Sequence, residues 1–428
     1  MFAIFYGFTL TNCNKFDINY MYKCSSFRDL HISWINQCLE GEKMAKGKGT
    51  NEYQKLIRIL LIVFVILALV VAFYFLIDGT IKEMEKQNLA TAKEAQERID
   101  ADYDIALQEH NDLISSAKKN QVSEDKPWPQ AKAEGWDVID LTGYGVERAY
   151  DVNATREEMM LGGMMLVNRW HELPADYYGV VEPSLLRVDS ANIPVKDGSV
   201  KMLPNALAAL ADMLKDAETE AQLTHFIIDE GYRTKEKQEQ YYAEKESEYA
   251  ANFEGEVLKQ KTIAAGVNYP GTSEYQSGFS FNPRQYKRGD AEFNAPKFFE
   301  TPHSDWMVEN SWKYGFVFRF PVNEYPNETV GDKSFKTGES KKLMIYRYVG
   351  EGHAAAMKQL DMCMEEYVEY LMAHPHIAVY ENGKLKYEIT RVSYNNQPTA
   401  TVEVSRNAAE YTVSMDNCGG VIVCMMYE

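Results

Sequence analysis

The chain has 428 residues, with 45 Lys and Arg against 63 Asp and Glu, for a formal net charge of −18. So acidic a chain is a poor partner for nucleic acid or anionic lipid, whose binding depends on clustered Lys and Arg. Its length suffices for one full core plus appendages, and its six cysteines include no CxxC metal or redox pair.

Residues 1–55 read as a cytoplasmic N-terminal segment. Residues 1–43 are rich in aromatic residues, Cys and Asn, and Phe2–Leu10 is too short to span a bilayer. They raise the reading that translation begins at Met44, since Glu40-Gly41-Glu42-Lys43 would be encoded by the purine-rich codons expected of a ribosome-binding site. Ile59–Ile77 then runs 19 residues without a charge. At about 1.5 Å per residue this matches a hydrocarbon core of about 30 Å, so a transmembrane helix is expected over 56–78. Lys46, Lys48, Lys55 and Arg58 crowd its N-terminal flank, whereas Asp78, Glu83 and Glu85 follow it beside only Lys82 and Lys86. That asymmetry predicts a single-pass protein of the cell membrane with a cytoplasmic N-terminus and an extracytoplasmic C-terminal domain.

Residues 79–135 are expected to form a helical stalk and linker. Lys82–Lys119 is rich in Ala, Glu, Lys and Gln and holds neither Gly nor Pro. Its thin apolar stripe, Ile99, Tyr103, Ala106, His110 and Leu113, leaves room for weak self-association as a coiled coil. Ser123–Pro129 breaks the helix.

From about Gly135 the composition is that of a globular domain, expected over 136–376. Leu207–Leu214 is an amphipathic helix, His225–Asp229 a strand, and Lys235–Ala250 a second helix. Tyr314–Phe320 and Leu343–Val349 alternate aromatic and β-branched residues as strands do, and His353–Leu371 reads as helix, with Cys363 a packed thiol inside it. Residues 377–428 are expected to form a small antiparallel β module. Its strands are Ile377–Tyr380, Leu385–Val392, Ala400–Val404, Tyr411–Ser414 and Val421–Cys424, with a hairpin turn at Glu381–Lys384 and a second turn at Asn417–Gly420. A Cys418–Cys424 bridge across Gly419-Gly420 is sterically open. The order of elements gives an α+β fold.

Several short motifs occur in a telling order. They are Leu166-Val167-Asn168-Arg169 with Leu173-Pro174, Gly231-Tyr232-Arg233-Thr234 with Gln238, the stretch Pro270–Asn282 (PGTSEYQSGFSFN), and Tyr314-Gly315-Phe316 with Arg319-Phe320-Pro321. Thr337-Gly338, Tyr346-Arg347-Tyr348-Val349-Gly350 and Glu365-Glu366-Tyr367 follow, with Ser414–Asn417 and Gly420–Val423 at the end. Together these resemble the VanY-type D-alanyl-D-alanine carboxypeptidases, the LAS zinc peptidases that trim the terminal D-Ala from peptidoglycan stem peptides. The resemblance covers roughly residues 160–428 and implies an antiparallel sheet flanked by helices.

In that family the metal is held by the His and Asp of SxHxxGxxxD and the His of a later ExxH, whose Glu is the general base. Here Tyr275, Asn282 and Ile345 occupy the ligand positions, and Lys342 occupies that of the base. Ile cannot ligate, Asn and neutral Tyr are poor zinc ligands, and a charged Lys would repel a cation. The resemblance therefore implies a degenerate member that has lost its zinc and retains no catalytic residue. Arg233 and Gln238 match positions that line the family's substrate cleft, and Ser273 the residue that binds the substrate's end; these three are the candidate ligand-binding residues. His374-Pro375-His376 is the one chelate-like pair, but it falls in no family motif and reads as surface or packing histidines.

Three readings follow. In the first, the chain is a membrane-anchored pseudoenzyme that binds stem peptides or regulates a cell-wall partner. In the second, it is an active carboxypeptidase with a displaced metal centre. In the third, it is an envelope interaction module working through 79–135 and 377–428.

Overall fold

A computed structural model of the chain describes residues 127–428 continuously and much of 57–86. The segment 1–55 and most of the stalk expected over 79–135 lie outside the described residues. Contacts divide the chain into two units, Met1–Ala90 and Thr91–Glu428. In the first, Ile57–Thr80 is a 24-residue helix, long and apolar enough to cross a membrane. Its apolar side chains are exposed on every side, from Ile59 and Leu60 to Phe73. Such a helix needs an apolar surrounding.

The second unit opens with β1 (Trp136–Asp140) and β2 (Ala149–Thr155), then the two-residue β3 (Leu186–Arg187) and β4 (Lys201–Met202). Pro204 starts α1 (Pro204–Ala221), where its missing N–H has no helical partner to lose. Leu207, Leu210, Met213 and Ala217 then bury at helical spacing. Next come β5 (Phe226–Glu230), α2 (Lys235–Tyr249), α3 (Gly255–Ala264), β6 (Ser280–Gln285), α4 (Pro302–Asn310), β7 (Phe316–Phe318) and β8 (Tyr346–Tyr348). Thr234 caps α2 by accepting from the Lys237 amide at 3.2 Å. Strands β5-β6-β8-β7, in that order, form an antiparallel sheet. Phe281 and Tyr346 from its central strands, with Phe316 from the edge strand β7, bury fully in the larger core.

The chain ends with α5 (Glu351–Leu360), α6 (Met364–Ala373), β9 (His376–Glu381), β10 (Lys384–Ser393), β11 (Thr399–Ser405), β12 (Glu410–Met415) and β13 (Gly420–Met426). The order β1-β9-β10-β13-β12 makes a five-stranded antiparallel sheet, and β11 pairs with β2. Asn382 and Gly383 at the β9–β10 turn both have positive φ, 51° and 77°, as a two-residue hairpin with right-handed strand twist requires. Met357, Tyr367, Leu371, Ile377, Val379 and Ile422 pack α5 and α6 onto this sheet.

The α+β class with antiparallel sheets flanked by helices is thus observed. Three local differences have clear causes. The helix expected over His353–Leu371 is two helices, because Asp361 turns left-handed with a φ of 52° at the end of α5. Cys363 stands just before α6 rather than inside a helix, though it is buried as expected. The strand expected from Tyr314 begins only at Phe316, since Ser311–Tyr314 form a 3-10 turn closed by Gly315 at φ 80°. Cys363, Cys418 and Cys424 are all free, buried thiols.

Candidate functional site

The site begins at an irregularity in β5. Ile228 faces Pro283 and Glu230 faces Asn282, so Asp229 is an extra residue between them. A bulge of this kind re-aims its side chains. Asp229 pairs with Arg284 at 2.8 and 3.0 Å, while Glu230 is left for Arg233. Gly231 follows where a Cβ would stand 2.4 Å from the Lys201 carbonyl oxygen, so only glycine fits.

Arg233 is held from several directions. Its Nε donates to Glu230 Oε1 at 2.8 Å and its Nη1 to Gln238 Oε1 at 2.7 Å. Its backbone N–H donates to the Tyr275 carbonyl at 2.9 Å. The guanidinium carbon lies 4.5 Å from the Tyr275 ring centre and 4.7 Å from that of Tyr241, within cation–π range. Gln238, itself buried, passes the connection on by donating to the Asn268 carbonyl at 2.6 Å.

The sequence-predicted positions mostly converge. Arg233, Ser273, Tyr275 and Ile345 line one cleft of about 370 Å³. Asn282 donates from Nδ2 to the Tyr275 hydroxyl at 3.3 Å. Burial pushes the Tyr275 phenol well above its usual value, so it stays neutral. Lys342 is exposed, with Nζ 5.6 Å from the Tyr325 ring centre. A zinc ion needs three N, O or S donors free to ligate. This set offers a neutral phenol, an amide whose nitrogen is turned to that phenol, and a hydrocarbon, so it does not fit zinc. Among the described residues no three His, Cys, Asp or Glu side chains gather into a group that could hold a metal. His374 and His376 take separate carboxylates, Asp140 and Glu388, each at 2.8 Å. His353 is buried in α5 against the Tyr367 hydroxyl.

Beneath the cleft lies a buried charge network that sequence reasoning missed as a unit. Glu274 accepts from Arg319 Nε at 2.7 Å, from Arg347 Nη1, and from the Ser280 hydroxyl at 2.7 Å. Arg319 also grips Glu365 with both Nη atoms at 3.0 and 2.7 Å, and Asn168 donates to the same carboxylate at 2.9 Å. Arg347 donates to the Gly163 and Met165 carbonyls at 2.7 and 2.9 Å. Burial alone would raise the Glu274 carboxyl, but the charges of Arg347 and Arg319 outweigh it and hold it below the usual range. The signal was present in the motifs Leu166–Arg169, Arg319–Pro321, Tyr346–Gly350 and Glu365–Tyr367, each of which contributes to this one cluster. Glu230 and Tyr241 carried no motif signal, although Tyr241 lies three residues beyond Gln238 on α2.

The model of the VanY family, D-alanyl-D-alanine carboxypeptidase, matches residues 199–334. A D-alanyl-D-alanine carboxypeptidase of Enterococcus faecium is 29% identical over 279 residues, covering 65% of this chain and 79% of that one. Among solved structures, the vancomycin-resistance D,D-dipeptidase VanXYg in complex with a D-Ala-D-Ala phosphinate analog shares 21% identity at a TM-score of 0.50. It covers 65% of this chain and 99% of its own, which shows a common fold. The vancomycin-resistance D,D-pentapeptidase VanY in complex with Zn(II) is 30% identical, with 48% of this chain and 98% of its own covered at a TM-score of 0.36.

Proposed function

This chain belongs to the VanY family of D-alanyl-D-alanine carboxypeptidases, and from that premise we propose that it is a catalytically inactive, peptide-binding member carried on the outer face of the cell membrane. The observation that supports inactivity is the site itself. Tyr275, Asn282 and Ile345 occupy the positions that the resemblance assigns to three metal ligands, and the Asn282 amide donates to the Tyr275 hydroxyl. Lys342 puts an amine, not a carboxylate, at the position that the resemblance assigns to the general base.

Peptide binding is supported by what remains. The cleft persists, lined by Arg233 and Ser273, with Gln238 buried and bonded to Arg233; the resemblance assigns all three to the substrate cleft. Its ligand is a peptidoglycan stem peptide, the class that ends in D-Ala-D-Ala. The apolar helix Ile57–Thr80 and its basic N-terminal flank support an anchor with the domain outside the cell.

The test is metal analysis of the purified full chain together with a D-Ala release assay on muropeptides. The expected result is far less than one zinc per chain and no release of D-Ala. One zinc per chain with release overturns the proposal and favours an active enzyme with a displaced centre.

A further inference from the structure

The walls of the cleft carry an unexpected balance of charge. The helix α2 lays Tyr241, Glu244, Lys245 and Glu248 along it, one helical face in succession. Lys245 is tied to both oxygens of Glu248, at 2.7 and 2.9 Å. Glu244 has no cationic partner among the described residues and accepts only from the Gln240 amide, at 2.8 Å. The C-terminal turn of α2 has no basic residue, so its outward carbonyls add partial negative charge.

The remaining cation, Arg233, is spoken for. Glu230 neutralises it, Gln238 takes a further N–H, and the Tyr241 and Tyr275 rings stack on it. Its side chain is only 11% exposed. A carboxylate entering here would have to displace Glu230 from Arg233 while facing Glu244. An ammonium group meets no such cost, since a carboxylate and a tyrosine ring both favour a cation.

A second, independent observation marks the cleft as a binding site. Ser273 is 4% exposed and lines it, yet its hydroxyl has no hydrogen-bond partner among the described residues. Being neutral, this hydroxyl serves the amide groups of a bound chain, donating to a carbonyl or accepting from an N–H.

We propose that the cleft takes peptides by an ammonium group, with Ser273 hydrogen-bonded to the backbone, and that the C-terminal carboxylate is not the group it recognises. This rests on the peptide-binding reading above and narrows the ligand to amine-bearing stem peptides, in which the side-chain amine at the third residue is free.

The test is calorimetric titration of the full chain in zwitterionic nanodiscs at neutral pH. The ligands are N-acetylated pentapeptides ending in Lys-D-Ala-D-Ala. One has both groups free, one is amidated at its C-terminus, and one is acetylated on the lysine amine. Amidation is expected to leave the affinity within about twofold, and lysine acetylation to weaken it about tenfold or more. The exposed pair Glu244→Gln and Glu248→Gln should weaken the free-amine peptides and leave the acetylated one unchanged, with far-UV circular dichroism confirming the fold. A loss on amidation with none on acetylation overturns this inference and leaves peptide binding standing. Failure of all three peptides to bind overturns both.

Discussion

Replacing Glu274 by Gln is the sharpest probe of what holds this site together. The carboxylate is 1% exposed and shared by Arg319 and Arg347, themselves wholly buried. With Glu365, the cluster contains two anions and two cations, so Glu274→Gln leaves one positive charge in the core without compensation. Breaking a buried pair in this way costs about 3–5 kcal/mol, and because Glu274 serves two arginines the upper part of that range applies. That is a large share of the about 5–15 kcal/mol that typically holds a domain together. The assay is urea unfolding of the full chain in detergent, followed by tryptophan fluorescence. Asp176→Asn, at the exposed pair with Arg156, is the control and should cost less than about 1 kcal/mol. The pH dependence gives a second reading. Since the folded carboxyl of Glu274 lies below its unfolded value, its stabilisation is complete above about pH 4.3 and is lost as the pH falls through the folded value. The gap between wild type and Glu274→Gln should therefore begin to close only as the pH falls below about 4.3. A loss below about 1 kcal/mol at neutral pH would refute the reasoning.

Other outcomes follow from the same geometry. The fourfold change Tyr275→His, Asn282→Asp, Lys342→Glu and Ile345→His restores a donor set that suits zinc, so the purified variant should carry about one zinc per chain; continued absence of metal would show that the surrounding cleft has changed as well. Gly231→Ala drives a methyl into the Lys201 carbonyl and should lower stability by about 1–3 kcal/mol, read by thermal unfolding; an unchanged midpoint would contradict the packing. Burial pushes the Cys424 thiol up to about 12, so alkylation at neutral pH should be very slow until denaturant is added; rapid labelling of the folded chain would be inconsistent with it.

Much of the fold was legible in the sequence. Ile377–Tyr380 stood out as a short apolar run and Leu385–Val392 as the strand after it, because Asn382-Gly383 between them named its own turn. The break at Asp361 was hidden, because Met357, Met364 and Tyr367 keep the apolar spacing of one continuous helix while the backbone turns between them. Motif order brought Arg233, Ser273, Tyr275 and Ile345 to one cleft. It could not supply Glu230 as the partner of Arg233, since that pairing depends on a one-residue bulge in β5 that no periodicity records. Nor could it tell that the carboxylate of Glu274, written between two motif residues, is taken up by the arginine cluster.

That cluster also bears on how the domain comes together. Asn168 and Glu365, which meet in it, stand 197 residues apart, and Arg347 reaches back 184 residues to the Gly163 carbonyl. Contacts closed over such distances form late, because the loops between them must be gathered first. Until then its arginines and glutamates are solvated charges that favour no compact state. Once all are docked, releasing any one strands the others, so the last step of folding is also the one that makes opening slow.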